Sequence, residues 1–159
     1  MSEKNTVLVA TDGACKGNPG PGGYGVVLIY GQHRKEMSCG YGLTTNNRME
    51  MLAVIVALEK LTRQCSVRIL SDSKYIIDNV KGGFPWKWRD KGWILSSKKP
   101  AKNADLWERM INLLDFHEVI FEWVKGHSGH ELNELADTLA SDAAEQDSSL
   151  LLVDEGFEG

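Results

Sequence analysis

A chain of 159 residues with ordinary apolar content and 16 glycines suits one globular domain with a sizeable core. It has no apolar stretch long enough to span a bilayer, and its opening M-S-E-K-N-T lacks the apolar region of an export signal, so a cytoplasmic protein without a membrane partner is expected. The net charge of −4 does not advertise nucleic-acid binding, and three scattered cysteines (Cys15, Cys39, Cys65) support neither a disulfide framework nor a zinc site.

Thr6–Gly13, T-V-L-V-A-T-D-G, is an apolar, β-branched run that stops at Asp12. It predicts a buried strand over 6–12 with a carboxylate just past its end, where open α/β sheets place ligands. A loop follows. In it, Gly20-Pro-Gly22-Gly-Tyr-Gly25 matches the dinucleotide pattern G-x-G-x-x-G, but the next residues form a strand and Pro19 and Pro21 spoil a helix start. A phosphate site of that kind needs a helix there, so it is rejected. Val26–Tyr30 and 35–41, joined by Gly31-Gln-His-Arg34, read as a hairpin.

Asn47 followed by Glu50 reads as an N-cap with a capping-box glutamate, opening a mostly apolar helix over 47–62. Ser66–Leu70 predicts a strand ending in Ser71-Asp72-Ser73, and a short helix over 74–80 follows, which Asp72 could cap. From Lys81 to Lys102 the bases Lys81, Lys87, Arg89, Lys91, Lys98, Lys99 and Lys102 stand against one acid, Asp90. Phe84, Trp86, Trp88 and Trp93 are interleaved among them, which a merely solvated face does not need. A helix is predicted from 103 or 105 to 113, a strand over 119–124, and a last helix over 131–145. Beyond Glu131 no Lys or Arg occurs, and 146–159 reads as a C-terminal tail, expected to be flexible. The order β-β-β-α-β-α-α-β-α implies a mixed sheet with helices on its faces.

Asp12 and Asp72 end separate strands, Glu50 opens a helix, and Asp137 lies on the last helix beside Asn133 and Ser141, off the apolar stripe of Leu132, Leu135, Ala136, Leu139 and Ala140. Each has an ordinary role as turn, cap or solvated residue. If they meet, like charges repel unless cations lie between them, and hard oxygen donors suit Mg²⁺ or Mn²⁺ rather than zinc. Such a site suits phosphodiester hydrolysis. His127, in a Gly-flanked loop, could move a proton beside it.

The motifs T-D-G-A-C-K-G-N-P-G-P-G-G-Y-G, T-T-N-N-R-M-E, S-D-S-K-Y and W-V-K-G-H-S-G-H-E-x-N-E-x-A-D, in this order, resemble bacterial type 1 ribonuclease H over about residues 5–145. The resemblance implies an α/β, ribonuclease H-like fold with a five-stranded mixed sheet and helices on both faces, with the domain at 1–145. It implies Mg²⁺-dependent cleavage of the RNA strand of an RNA–DNA hybrid, with Mn²⁺ able to substitute, leaving 5′-phosphate and 3′-hydroxyl ends. By motif position Asp12, Glu50, Asp72 and Asp137 match the metal-holding carboxylates, and His127 the family's mobile histidine. Cys15, Asn18, Asn46 and Asn47 match groups lining the hybrid's minor groove, where short polar side chains can reach 2′-hydroxyls without reading bases. Thr45 and Asn103 match a pocket for a DNA phosphate. The segment from Phe84 to about Lys99 matches a basic protrusion gripping the DNA strand, with Trp88 facing substrate and Trp86 and Trp93 in a local core.

Two departures bear on affinity. Lys74 stands where relatives often carry Gln, and Phe84 and Asp90 alter the protrusion. A second reading, a hybrid-binding module with a dead site, is disfavoured because all four acids are present. Nothing requires more than a monomer.

Overall fold

The computed structural model describes residues 6–126 and 129–158. Its centre is a five-stranded sheet in the order β3-β2-β1-β4-β5: β1 Thr6–Cys15, β2 Gly20–Tyr30, β3 His33–Thr44, β4 Ser66–Ser71 and β5 Glu118–Trp123. The first three strands pair antiparallel, while β4 pairs parallel with both β1 and β5. The helices are α1 Asn46–Glu59, α2 Lys74–Gly82, α3 Phe84–Asp90, α4 Ala104–Phe116 and α5 Glu131–Ala144. The expected mixed sheet with flanking helices is therefore present.

The larger core joins one sheet face to α1 and α4 through Val7, Val9, Val26, Met51, Ile55, Ile69, Trp107 and Ile111. α1 is buried on nearly all sides, which is why its sequence shows a continuous apolar run instead of a stripe. The smaller core joins the opposite face to α5 through Ala10, Val27, Leu70, Val124 and Ala136. Here α5 comes very close to the sheet. A Cβ on Gly23, Gly25 or Gly40 would run into the backbone carbonyls of Ala140, Ala136 and Ala143 respectively.

Several boundaries differ from expectation. β1 runs through Asp12 to Cys15, because Asp12 and its neighbours pair with Gly22–Gly25 of β2; of the Gly- and Pro-rich stretch only 16–19 is loop, and Gly20–Gly25 is strand. Thr45, not Asn47, caps α1, its Oγ1 accepting from Arg48 N at 3.2 Å. Ser73, not Asp72, caps α2, its Oγ accepting from Ile76 N at 3.2 Å. Glu50 and Asp72 are thus released from the capping roles their positions suggested. An additional helix, α3, follows Gly83, whose φ of +72° ends α2, and Pro85 sits in its first turn.

The segment expected to be a flexible tail meets the domain at Leu152 and Asp154, while 146–150 are exposed. Leu152 N donates to Gly40 O and Gly42 N to Leu152 O, both at 2.9 Å, adding a short bridge to β3. Asp154 then bonds Arg48 at the start of α1. Among the described residues no helix is long and apolar enough to cross a membrane.

Candidate active site

Four elements bring the predicted acids together. The parallel pairing of β1 with β4 ends at Ala10 and Leu70, so the two strands part just before Asp12 and Asp72. Asp12 sits at this opening, 9% exposed. α1 crosses it, and Gly13 lets the helix close in: a Cβ there would lie 2.5 Å from Glu50 N. Carboxylate oxygens of Asp12, Glu50 and Asp72 lie within 4.8 Å of one another. Asp137 on α5 lies close enough to Asp12 for their charges to interact, and it lines the same small cavity as Asp12 and Asp72.

This crowding is electrostatically costly. Burial, then the charge of Asp72, pushes the Asp12 carboxyl up to about 8, with Asp137 adding to the shift and the Gly13 N–H opposing it. Burial and the charges of Asp12 and Asp72 likewise hold Glu50 well above the usual carboxylate range. Glu50 Oε1 and Asp72 Oδ1 are buried without a hydrogen-bond partner among the described residues, although buried polar atoms are almost always paired. Buried, unpartnered oxygens on a converging set of carboxylates fit divalent cations: hard oxygen donors, no sulfur and no competing Lys or Arg ion pair on Asp12, Glu50 or Asp72 among the described residues.

The expected substrate residues lie on β1, the β1–β2 turn, α1 and its cap, α2, α3 and the cap of α4. The Cys15 thiol lies 3.5 Å from Gly20 O and 3.4 Å from Thr44 O. Asn18 Oδ1 accepts from Asn46 N at 3.1 Å, tying the β1–β2 turn to the first turn of α1, where Asn47 also lies. Thr45 and Asn103 meet through Arg48, whose N–H bonds Thr45 and whose Nη1 donates to Asn103 Oδ1 at 3.2 Å. Lys74 opens α2 two residues beyond Asp72.

In the basic segment Trp86, Trp88 and Trp93 are each partly buried and pack against the main core. Trp88 is half-buried, stacked on Phe84 at 6.2 Å and edge-on to Trp107 at 6.4 Å, while Trp86 Nε1 donates to Asp115 at 2.9 Å. His127 lies outside the described residues; Gly126 before it backs onto Asp72 Oδ2.

Sequence reasoning passed over Thr11, Arg48 and Glu134. Thr11 Oγ1 is buried and unpartnered among the described residues, and Glu134 lines the cavity with Asn133 and His130. The one available signal was position, since each falls inside a motif already singled out.

The family model described as RNase H matches residues 4–145. A protein named ribonuclease H from Desulforamulus reducens is 55% identical over 140 residues, 88% of each chain. One of the same name from Rippkaea orientalis is 55% identical over 152 residues, 96% of this chain and 92% of its own. Among solved structures, LC9-RNase H1, a type 1 RNase H, superimposes with a TM-score of 0.77 at 33% identity, over 88% of this chain and 72% of its own. LC11-RNase H1 in complex with an RNA/DNA hybrid gives a TM-score of 0.64 at 27% identity, over 87% of this chain and 96% of its own.

Proposed function

The chain belongs to the RNase H family, and from that premise we propose that it hydrolyses the RNA strand of RNA–DNA hybrids, with Mg²⁺ held by Asp12, Glu50, Asp72 and Asp137. The observation that carries this is the convergence of Asp12, Glu50 and Asp72 within 4.8 Å, with buried oxygens left over. When bound, a pair of divalent ions supplies an activated water and stabilises charge on the attacking and leaving oxygens of an in-line displacement, giving 5′-phosphate and 3′-hydroxyl ends.

The chain's own residues do the rest. Asp12, on a strand paired to β2, is a rigid floor under the reacting phosphate. Glu50 and Asp72 hold the leaving-oxygen side, and Asp137 holds the side of the attacking water. Asn18, Asn46, Asn47 and Cys15 present short polar groups to 2′-hydroxyls and sugar edges, which selects the RNA strand without reading its sequence. Thr45 and Asn103 hold a DNA phosphate, and Lys74 and the basic segment with Trp88 neutralise and pack on the backbone. His127 carries a proton during product release. That a relative was solved with an RNA/DNA hybrid supports the choice of substrate.

The test is direct. End-labelled hybrid is incubated with protein in Mg²⁺ and in EDTA, beside duplex DNA and duplex RNA. Cut RNA in the hybrid alone, dependent on metal, is the expected result. Hybrid bound but uncut in Mg²⁺ would make the protein a binding module, and cut DNA would reassign the substrate.

A further inference from the structure

Arg48 is 2% exposed, and all five of its guanidinium N–H donors are used. Asp105, at the start of α4, accepts from Nη1 at 2.9 Å and Nη2 at 2.7 Å. Asp154, from the C-terminal segment, accepts from Nε at 2.7 Å and Nη2 at 3.0 Å. The fifth donor goes to Asn103 Oδ1 at 3.2 Å. The Asp154 side chain is itself only 5% exposed and also accepts from Thr44 Oγ1 at 2.6 Å. Burial pulls the guanidinium down, but Asp105 and Asp154 outweigh it and hold Arg48 above its ordinary value.

A guanidinium can only donate, so it takes the oxygen of Asn103 and turns the amide nitrogen away. One N–H of that nitrogen goes to Tyr75 Oη at 3.1 Å. Its second N–H has no acceptor among the described residues, and the left-handed backbone of Asn103, φ +59°, fixes where the side chain starts. Arg48 N also occupies Thr45 Oγ1 as an acceptor, leaving the threonine proton to donate. Two donors, the Thr45 hydroxyl and the Asn103 amide, thus take their directions from one buried arginine.

We propose that Asp154 is a positioning residue for the DNA-phosphate pocket: a carboxylate from the C-terminal segment locks Arg48 and so sets the direction in which Asn103 and Thr45 donate. This rests on the pocket assigned above to Thr45 and Asn103. Without Asp154, Nε and one Nη2 donor of a buried cation lose their acceptor, and the guanidinium turns to recover one. An ion pair that merely fastened the chain end would lower stability and leave phosphate recognition unchanged.

The experiment uses hybrids carrying one uncharged methylphosphonate, walked along the DNA strand, with KM and kcat measured for the unaltered protein, Asp154→Ala, Asp154→Asn and Asn103→Ala. In the unaltered protein one position should raise KM about tenfold, as expected for losing hydrogen bonds to a charged group. Asp154→Ala should raise KM on unmodified hybrid several-fold with kcat within about twofold, and shrink the penalty at that one position to under about twofold while others persist. Asp154→Asn, which keeps the shape and one acceptor, should fall between and serves if the alanine variant does not fold. A full penalty at that position in a folded Asp154 variant, judged by near-ultraviolet circular dichroism at the assay temperature, overturns the inference alone. A full penalty in Asn103→Ala overturns the pocket, and the inference with it.

Discussion

The ammonium of Lys74 lies 4.9 Å from the ring centroid of Trp123. Trp123 ends β5 and is 45% exposed, so this cation–π pair stands on the surface beside the carboxylate cluster. Such a contact restrains a flexible lysine without neutralising it. Lys74→Gln should therefore lower the slope of log Kd against log salt by about 1, the signature of one lost phosphate contact. Trp123→Leu should keep the slope and weaken hybrid binding about two- to fivefold, because the charge remains but is less well placed. An unchanged slope in Lys74→Gln would remove Lys74 from the interface.

Asp12→Asn should reduce cleavage at least about a thousandfold while hybrid binding in EDTA stays within a few-fold. On the proposed reading the carboxylate holds cations, whereas the side chains proposed to meet the hybrid are other residues. Loss of binding and cleavage together in a folded variant would contradict this division.

The same substitution should stabilise the metal-free protein. Asp12 is raised to about 8 and Glu50 is raised as well, so the folded state binds more protons than the unfolded state between the ordinary carboxylate value and about 8. The stability these groups contribute is complete at low pH and lost as pH rises through that window. Thermal melts in EDTA should show Tm falling between about pH 4 and pH 8, more shallowly in Asp12→Asn, and held up by saturating Mg²⁺ or Mn²⁺. A flat profile without metal would mean that the acids do not crowd one another.

His117 pulls the other way. It is 5% exposed, and its Nδ1 accepts from Cys65 N at 3.1 Å where β4 begins. Burial holds it below the ordinary histidine value, with a bond to Leu58 opposing, so its share of stability is present above about pH 6.5 and is lost as pH falls below that. His117→Ala should cost about 1–3 kcal/mol in urea unfolding by leaving the Cys65 N–H unpaired, with kcat unchanged.

Trp88→Ala should raise KM more than it lowers kcat, and should also lower Tm, because the indole fills space between Phe84 and Trp107. A change confined to kcat would contradict a role in binding.

The sheet and four of the helices were legible because their signals are local. β-branched runs marked β1, β4 and β5, and a long apolar run with Ala, Leu and Met marked α1. The cap of α1 was misplaced because T-T-N-N offers four residues of capping type in a row, and only packing selects Thr45. Gly20–Gly25 reads as loop in the sequence because strand propensity ignores what a partner strand can supply; β1 pairs across those glycines. α3 escaped because seven residues after a Gly pair carry too little periodicity. The acids of the site were recoverable as motif positions, yet their meeting was not, since spacing along a chain says nothing of distance through space. The Arg48–Asp154 pair, 106 residues apart, has no sequence signal at all.

The glycines under α5 govern more than the thickness of the protein. Because Gly23, Gly25 and Gly40 present no side chain, the helix settles onto the sheet itself, and this depth determines whether its carboxylate reaches Asp12 across the opening. A single added methyl would act as a shim, lifting the helix and drawing Asp137 back while every oxygen donor of the cluster stayed in the chain. The residues with the least chemistry thereby meter the reach of an acid they never touch.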